Sequence, residues 1–340
     1  MRISMLASLL VLGSGALGAA TIPDAALDGL RWRQVGPYRA GWSTVAVGVP
    51  QAPDTYYFGA AGGGVWKTTD AGHNWVSIFD RQAASIGGLA VAPSNPQVIY
   101  VGTGQPQARY DTAHGDGVYG SRDGGRTWTH LGLQKTRHIG EILVDPHDAD
   151  VVLVAAVGPF FAESPDRGVF RSTDGGQHWT RTLAIDNATG AVDLASAPGQ
   201  PQTVFAAAWT ARNYPWMSYF TPMTSTTGGI YKSEDGGVSW KQLQGGGWPE
   251  GAVGRIGLAA TAHGGSTRVY AVVDHETAGG LYRSDDAGTT WLHINKDAGL
   301  GSSYIARVTI DPADADSVYV MGRSIKVSHD GGRTLKVMRG

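Results

Sequence analysis

Short apolar runs alternate with turn-forming residues along most of the chain. Runs such as Ile86 to Val91 and Ile139 to Val144 are followed by segments rich in Pro, Asp and Asn, and then by a β-branched run such as Val151 to Val154. This alternation is typical of short strands joined by tight turns. No amphipathic helical pattern interrupts it after the N-terminal segment, so the sequence predicts an all-β protein.

One eight-residue pattern, the Asp-box motif, recurs at the same place relative to these runs. It consists of a hydroxyl residue, any residue, Asp, a small residue, Gly, two variable residues and Trp. The six copies are Thr68 to Trp75, Ser121 to Trp128, Ser172 to Trp179, Ser233 to Trp240, Ser284 to Trp291 and a degraded Ser328 to Leu335. A period of about fifty residues suits a propeller blade.

The motif has a physical explanation that requires no catalysis. Its Asp can accept hydrogen bonds from backbone N–H groups of its own turn, its Gly tolerates a positive φ, and its Trp can pack between neighbouring sheets. A catalytic group would not be needed six times around a ring. We therefore predict structural roles for Asp70, Asp123, Asp174, Asp235, Asp286 and Asp330.

Each repeat contains four predicted strands, which indicates a β-propeller of about six four-stranded blades with Asp-box hairpins. The blades are predicted near residues 37–80, 81–133, 134–185, 186–244, 245–295 and 296–340, within one domain that spans residues 21–340. Residues 30–35 resemble the strand that follows each motif, so they would close the ring as the fourth strand of the last blade, with Trp32 replacing the Trp missing at Leu335. The alternative is an incomplete ring in a chain truncated from a longer protein.

The N-terminus has the layout of a secretory signal peptide. Arg2 precedes an apolar run from Ile3 to Leu12, and a small-residue stretch follows from Gly13 to Ala20. This order predicts cleavage after Ala20 and a secreted or periplasmic protein without membrane insertion. The alternative is a buried first helix over residues 1–20.

Composition excludes several kinds of chemistry. The chain has no Cys, which rules out disulfides, thiolate metal sites and thiol nucleophiles. The 27 basic and 29 acidic side chains give a net charge of −2 without long charged runs, so nucleic acid is not an expected partner. Spacings such as His-Glu-x-x-His are missing, and we predict neither a metal site nor a cofactor.

The mature chain resembles the large secreted bacterial Asp-box (BNR) repeat proteins with sortilin-type propellers, which are often labelled glycosyl-hydrolase-like. The likeness is carried by residues 62–70, 99–104, 136–140, 167–176, 189–195 and 254–257. It implies an exported propeller and a glycosidase-like activity. Members of this family run on for many hundreds of residues, so this chain looks like an N-terminal portion. The family commonly has Glu where this chain has Gln105, which removes one candidate acid.

Ligand chemistry is expected on the propeller face opposite the Asp-box hairpins, around the axis. The longest loop there, residues 209–229, is rich in aromatic residues, and it either stacks on a sugar or peptide ligand or folds over the channel as a plug. Several Arg residues near the starts of inner strands either converge on a carboxylate or sulfate group or pair with neighbouring blades. The ligand-binding candidates are Arg39, Arg137, His138, Trp209, Arg212, Tyr214, Trp216, Arg255 and Arg307.

A glycosidase would need two carboxyl groups about 5 to 10 Å apart. The candidates on suitable loops are Asp111, Asp116, Glu163, Asp166, Asp274 and Glu276, and no spacing selects a pair among them. The leading hypothesis is therefore an exported propeller that binds an extended polysaccharide or peptide on its axial face without chemistry of its own. The alternatives are a glycoside hydrolase or lyase acting on a polysaccharide, and a truncated product without function. The sequence predicts no particular oligomeric state.

Overall fold

The computed structural model describes residues 41–83, 85–214, 216–217, 223–297, 299–302, 304–322 and 324–338. In this part of the chain, twenty-four strands form six four-stranded antiparallel sheets that follow one another along the sequence. The prediction of an all-β, six-bladed propeller is confirmed. The predicted signal peptide, Arg39 and the predicted closing strand at residues 30–35 lie outside the described residues.

The strands of the first three blades are β1 to β4 (Ser43–Gly48, Tyr56–Ala60, Val65–Thr68, Val76–Ser77), β5 to β8 (Ile86–Val91, Ile99–Thr103, Val118–Ser121, Thr129–His130) and β9 to β12 (Ile139–Val144, Val152–Ala156, Gly168–Ser172, Thr180–Leu183). Those of the last three are β13 to β16 (Thr189–Ser196, Val204–Thr210, Gly229–Ser233, Lys241–Gln242), β17 to β20 (Ile256–His263, Ser266–Val273, Gly280–Ser284, Leu292–Asn295) and β21 to β24 (Arg307–Asp311, Asp314–Met321, Ile325–Ser328, Lys336–Val337). One short 3₁₀ turn, Gln134–Thr136, precedes β9.

The last blade holds four strands of its own, because β24 pairs with β23. It therefore does not need residues 30–35 as its fourth strand, which corrects that part of the closure hypothesis. The described part of the chain contains no helix that is both long and apolar enough to cross a membrane.

The repeated motif forms the turn between the third and fourth strands of each blade. In the second blade, the Ser121 hydroxyl donates to Asp123 Oδ1 at 2.8 Å, while the backbone N–H and the hydroxyl of Thr127 donate to the same carboxylate at 2.9 and 2.7 Å. The residue after the Asp adopts a left-handed conformation, with φ of 72° at Gly124 and 56° at Ala71. This conformation explains why the motif requires a small residue there.

The motif Trp connects successive blades. Trp128 Nε1 donates to the carbonyl of Ile78 in the preceding blade at 2.7 Å, and Trp179 Nε1 donates to the carbonyl of Leu131 at 2.8 Å. Trp240 makes the equivalent contact with Thr182. Trp75 of the first blade instead packs against Phe58 of its own blade and is 37% exposed. The indoles of Trp128, Trp179 and Trp240 are thus both apolar fillers and hydrogen-bond donors between two sheets, whereas Trp291 donates to Gly288 of its own turn.

The hydrophobic core is divided into clusters that lie mainly between consecutive blades. Val45 and Ile86 share a cluster between the first and second blades, and Tyr270 and Val318 share one between the fifth and sixth. The inner strands approach one another closely, since a Cβ at Gly87 would lie 1.9 Å from the carbonyl oxygen of Ile139. Glycine is therefore required where the inner strands meet.

We expect Trp128→Phe to lower the free energy of unfolding by about 1 kcal/mol, because the ring would be retained and the hydrogen bond to Ile78 lost. Trp75→Phe is the matched control, since the Trp75 ring contacts its own blade and is partly exposed. Urea unfolding of both variants measures the difference. Equal losses would show that the bond between blades does not contribute.

Acid should unfold the protein through the motif carboxylates. Hydrogen bonds, led by the backbone N–H of Asn74, lower the pKa of Asp70 to about 2, and the pKa of the Asp in each of the other five copies is also lowered. A lowered folded-state pKa contributes stability above the unfolded pKa of about 4, and this contribution is lost as pH falls towards 2. Circular dichroism against pH should show this loss. In the Asp123→Asn variant, the loss of folded signal with falling pH should be less steep. An unchanged slope in that variant would contradict the assignment of this loss to the motif carboxylates.

Candidate functional site

The connections between second and third strands lie at one end of every blade, opposite the motif turns. We call this end the loop face. Its long loops are residues 104–117, 158–168, 209–229 and 274–280, and the connections between blades reach the same face. Because antiparallel strands alternate in direction, these segments come together around the axis.

Two Arg residues cross the axis and bind groups from opposite blades. Arg307, the first residue of β21, pairs with Glu141 on β9 at 3.0 Å between Nη1 and Oε2, and its Nη2 donates to the carbonyl of Gly140 at 3.2 Å. Arg255 precedes β17 and donates from Nη1 to the carbonyl of Pro106 in the second blade at 2.7 Å. Both Arg residues therefore hold the propeller together across its axis.

A second carboxylate completes this buried charge cluster. Asp193 accepts backbone N–H groups from Leu194 at 3.0 Å and Leu258 at 2.9 Å. Burial raises the pKa of Asp193 and raises the pKa of Glu141 to about 7, with Arg307 opposing the shift in both cases. Burial also lowers the pKa of Arg255 to about 10. Neither Glu141 nor Asp193 is among the candidate site residues named from the sequence.

The loop at residues 104–117 closes the axis. Gln105, Gln107 and Ala108 are buried in it. The Arg109 guanidinium lies 4.8 Å from the Trp42 ring and donates to the Tyr304 hydroxyl at 3.2 Å, so it links segments that precede the first and last blades. No local pattern predicts this arrangement of the loop, because its contacts join residues up to 195 positions apart.

The aromatic loop is divided into a buried and an exposed part. Trp209 is fully buried, and its Nε1 donates to the carbonyl of Met223 at 3.0 Å. Tyr214 and Trp216 stack on each other with ring centroids 5.0 Å apart and planes inclined by 17°, and they are 38% and 80% exposed. Arg212 lies 5.2 Å from the Tyr214 ring. Exposed aromatic surface of this kind is available for a ligand.

Three of the predicted ligand-binding side chains are buried, and a fourth, Arg307, is held in the ion pair with Glu141. Trp209 and Arg255 lie in the interior because the neighbouring loops cover them, and Arg255 stacks on Trp209 at 5.4 Å. His138 is buried against Phe160, and burial lowers its pKa to about 3, which keeps it neutral. These predictions are corrected to supporting roles. Arg137 is exposed at the end of the 3₁₀ turn with a φ of 61°, and its carbonyl accepts the Gly115 N–H at 2.7 Å.

The predicted acids differ in how strongly the structure holds them. Asp111 pairs with Arg109 at 2.8 Å, and Asp116 accepts the Tyr119 hydroxyl at 2.8 Å. Asp166 accepts the Ser164 hydroxyl at 3.3 Å, and Asp274 is buried. Glu163 and Glu276 are exposed at the loop face. No cluster of three His, Asp or Glu side chains suited to a metal occurs in the described ranges.

Comparison with known proteins relates the chain to polysaccharide-degrading propellers. No protein-family profile matches it. It is 25% identical over 277 residues to a xyloglucanase from Paenibacillus sp, covering 78% of this chain and 23% of that protein, and 24% identical over 228 residues to xyloglucanase Xgh74A from Acetivibrio thermocellus, covering 61% and 26%. The chain spans about a quarter of the length of these curated relatives.

Solved structures show the same fold. The GH74 xyloglucanase from Xanthomonas campestris superposes with a TM-score of 0.62 at 21% identity, covering 91% of this chain and 47% of that one. YCF48, solved bound to D1 peptide, superposes with a TM-score of 0.52 at 13% identity, covering 88% of this chain and 81% of that one. At such identities these likenesses establish the β-propeller and nothing finer.

We expect Arg307→Met to destabilise the protein by about 3 kcal/mol, because it leaves the Glu141 carboxyl buried without its partner. The double variant Glu141→Gln with Arg307→Met should recover most of this loss. Thermal unfolding of the wild type and the single and double variants measures the coupling. A strictly additive double variant would contradict a pair that acts across the axis.

Proposed function

We propose that this chain is an exported Asp-box propeller, of the sortilin-type and glycosyl-hydrolase-like group, whose loop face binds an extended polysaccharide. The stacked and exposed Tyr214–Trp216 pair carries the proposal. A flat aromatic pair of this size is costly to leave in water and suits the apolar face of a sugar ring. The N-terminal segment with the layout of a signal peptide supports export.

The surroundings of this pair extend the proposed surface. Phe161 and Tyr110 are exposed on neighbouring loops of the same face, at 49% and 40%. Exposed aromatic side chains therefore occur on three loops of the loop face, which suits a ligand longer than one sugar ring. The xyloglucanase relatives favour a polysaccharide over a peptide. The ligand lies on the face, because Arg307 and the loop at residues 104–117 fill the axis.

The side-chain partners of the predicted acids favour ligand binding without catalysis. Asp111, Asp116 and Asp166 are each held by a neighbouring side chain. A general acid requires a carboxyl group that can approach the glycosidic oxygen, with its partner across the bond. Among the six candidates, only Glu163 and Glu276, on the loops of the third and fifth blades, are exposed and form no hydrogen bond or ion pair with a described side chain.

A glycoside hydrolase is the second candidate. The names of the curated relatives favour it, since each is a xyloglucanase. In that case Glu163 and Glu276 would be the first residues to test. This chain spans about a quarter of the length of those relatives, so a hydrolase activity of the whole protein is a proposal.

We expect Trp216→Ala to weaken binding of a xyloglucan oligosaccharide about tenfold, because the variant loses one stacking face. Isothermal titration calorimetry on residues 21–340 measures the affinity. Trp75→Ala is the matched control, because Trp75 is also partly exposed but lies beside a motif turn on the opposite face. Equal effects of the two variants would contradict a ligand site on the loop face.

Incubation with the same oligosaccharide should release no new reducing ends. Release by the wild type that is abolished in Glu163→Gln or Glu276→Gln would overturn the binding proposal and establish the hydrolase. Glu234→Gln, an exposed carboxyl beside a motif turn, is the control for this series. Screening a peptide array in parallel separates a peptide ligand from a polysaccharide.

A further inference from the structure

Buried polar atoms without a hydrogen-bond partner are concentrated beneath the loop face. Seven of the eight such side-chain atoms among the described residues lie there, and only Arg283 Nε lies elsewhere. The seven are Gln105 Nε2, Gln107 Oε1, His138 Nδ1, Arg167 Nε, Arg212 Nε, Arg212 Nη1 and Arg255 Nε. Each unpartnered buried group costs free energy, so this concentration distinguishes the polar interior beneath the loop face from the rest of the described propeller.

Arg167 is the most deeply buried of these cations. It is 1% exposed, and its two terminal nitrogens donate to the carbonyls of Val157, Pro159 and Ala162 in its own loop. No carboxylate forms an ion pair with it in the described part of the chain. Burial, and after it the charge of Arg212, lower its pKa to about 10.

Arg212 lies beside the exposed aromatic pair. Its Nε and Nη1 are fully buried without an acceptor, while the side chain as a whole is only half-buried. The remaining guanidinium nitrogen, Nη2, is therefore the one that a ligand can reach. The Tyr214 ring lies 5.2 Å away, and Trp216 stacks on that ring.

Two other enclosed Arg residues of the propeller have carboxylate partners. Arg268 pairs with Asp285 at 2.5 Å and with Asp316 at 2.6 Å, and Arg307 pairs with Glu141. The charges of Asp186 and Glu163 oppose the lowering of the Arg167 pKa, and neither carboxylate forms a hydrogen bond to Arg167. Arg212 has no carboxylate partner among the described residues, so its Nη2 is available to an anionic ligand.

We propose that Arg212 forms an anion subsite that takes the carboxylate or sulfate group of an acidic polysaccharide. The accessible Nη2 of its guanidinium can donate to an oxygen of such a group, and the stacked pair beside it would hold the sugar ring that carries the group. This inference rests on the proposed polysaccharide function and narrows its ligand to an acidic chain. An acidic peptide would offer the carboxylate without a pyranose face for Trp216.

The test compares two oligosaccharides with the same β-1,4-glucan backbone, a cello-oligosaccharide and its C6-oxidised glucuronate form. Calorimetry should show the oxidised form binding at least about tenfold more tightly, because a hydrogen bond to a charged group is added. Arg212→Gln should abolish the preference and Arg212→Lys should retain part of it. Arg126→Gln, an exposed Arg beside a motif turn on the opposite face, should leave it unchanged.

Equal affinity for the two oligosaccharides, unaffected by Arg212→Gln, would overturn the subsite and leave the aromatic site standing. Failure of both to bind would count against the proposed function, and thermal shift with free glucuronate and sulfate then decides the subsite. A shift that disappears in Arg212→Gln supports it, and no shift overturns it. Tighter Arg212-dependent binding of poly-glutamate than of the glucuronate would overturn the choice of a polysaccharide. A larger response to a sulfated than to a carboxylated oligosaccharide identifies sulfate as the group.

Discussion

The hydrogen-bonded Trp between consecutive blades is the interaction on which the rest of the propeller depends. A four-stranded sheet buries little apolar surface alone, so each blade is stable only when its faces pack on neighbours. The indoles of Trp128 and Trp179 fill the space between two sheets and also donate to a carbonyl of the preceding blade. The motif carboxylate fixes the turn that carries each Trp. The regular spacing of the motif along the sequence thereby sets the regular arrangement of the blades around the axis.

The axis is organised by a different kind of contact. Glycine residues let the inner strands approach closely, and charged side chains then fill the centre. The pair between Arg307 and Glu141 joins opposite blades, as does the bond from Arg255 to Pro106. Buried ion pairs of this kind add specificity of arrangement more readily than net stability. Their effect here is to join opposite blades through the centre of the propeller.

The fold could be predicted from the sequence because its determinants are local. The motif from Ser121 to Trp128 contains its own hydrogen-bond donors and acceptors, and its recurrence gives both the strand order and the number of blades. The site could be predicted only in part. Tyr214 and Trp216 are exposed in a loop that the sequence marked as aromatic, whereas Trp209 in the same loop is buried. Which aromatic residue faces inwards depends on loops of other blades, and no local pattern encodes those contacts.

The loop face combines an exposed aromatic pair with cations that lack acceptors, and this combination is the basis for proposing a polysaccharide ligand there. The most direct test is a crystal structure of residues 21–340 with a bound xyloglucan-derived or glucuronate-containing oligosaccharide. A pyranose ring should lie parallel to the Trp216 indole on the loop face. A sugar bound at the motif turns, or bound without contact to Trp216, would contradict it.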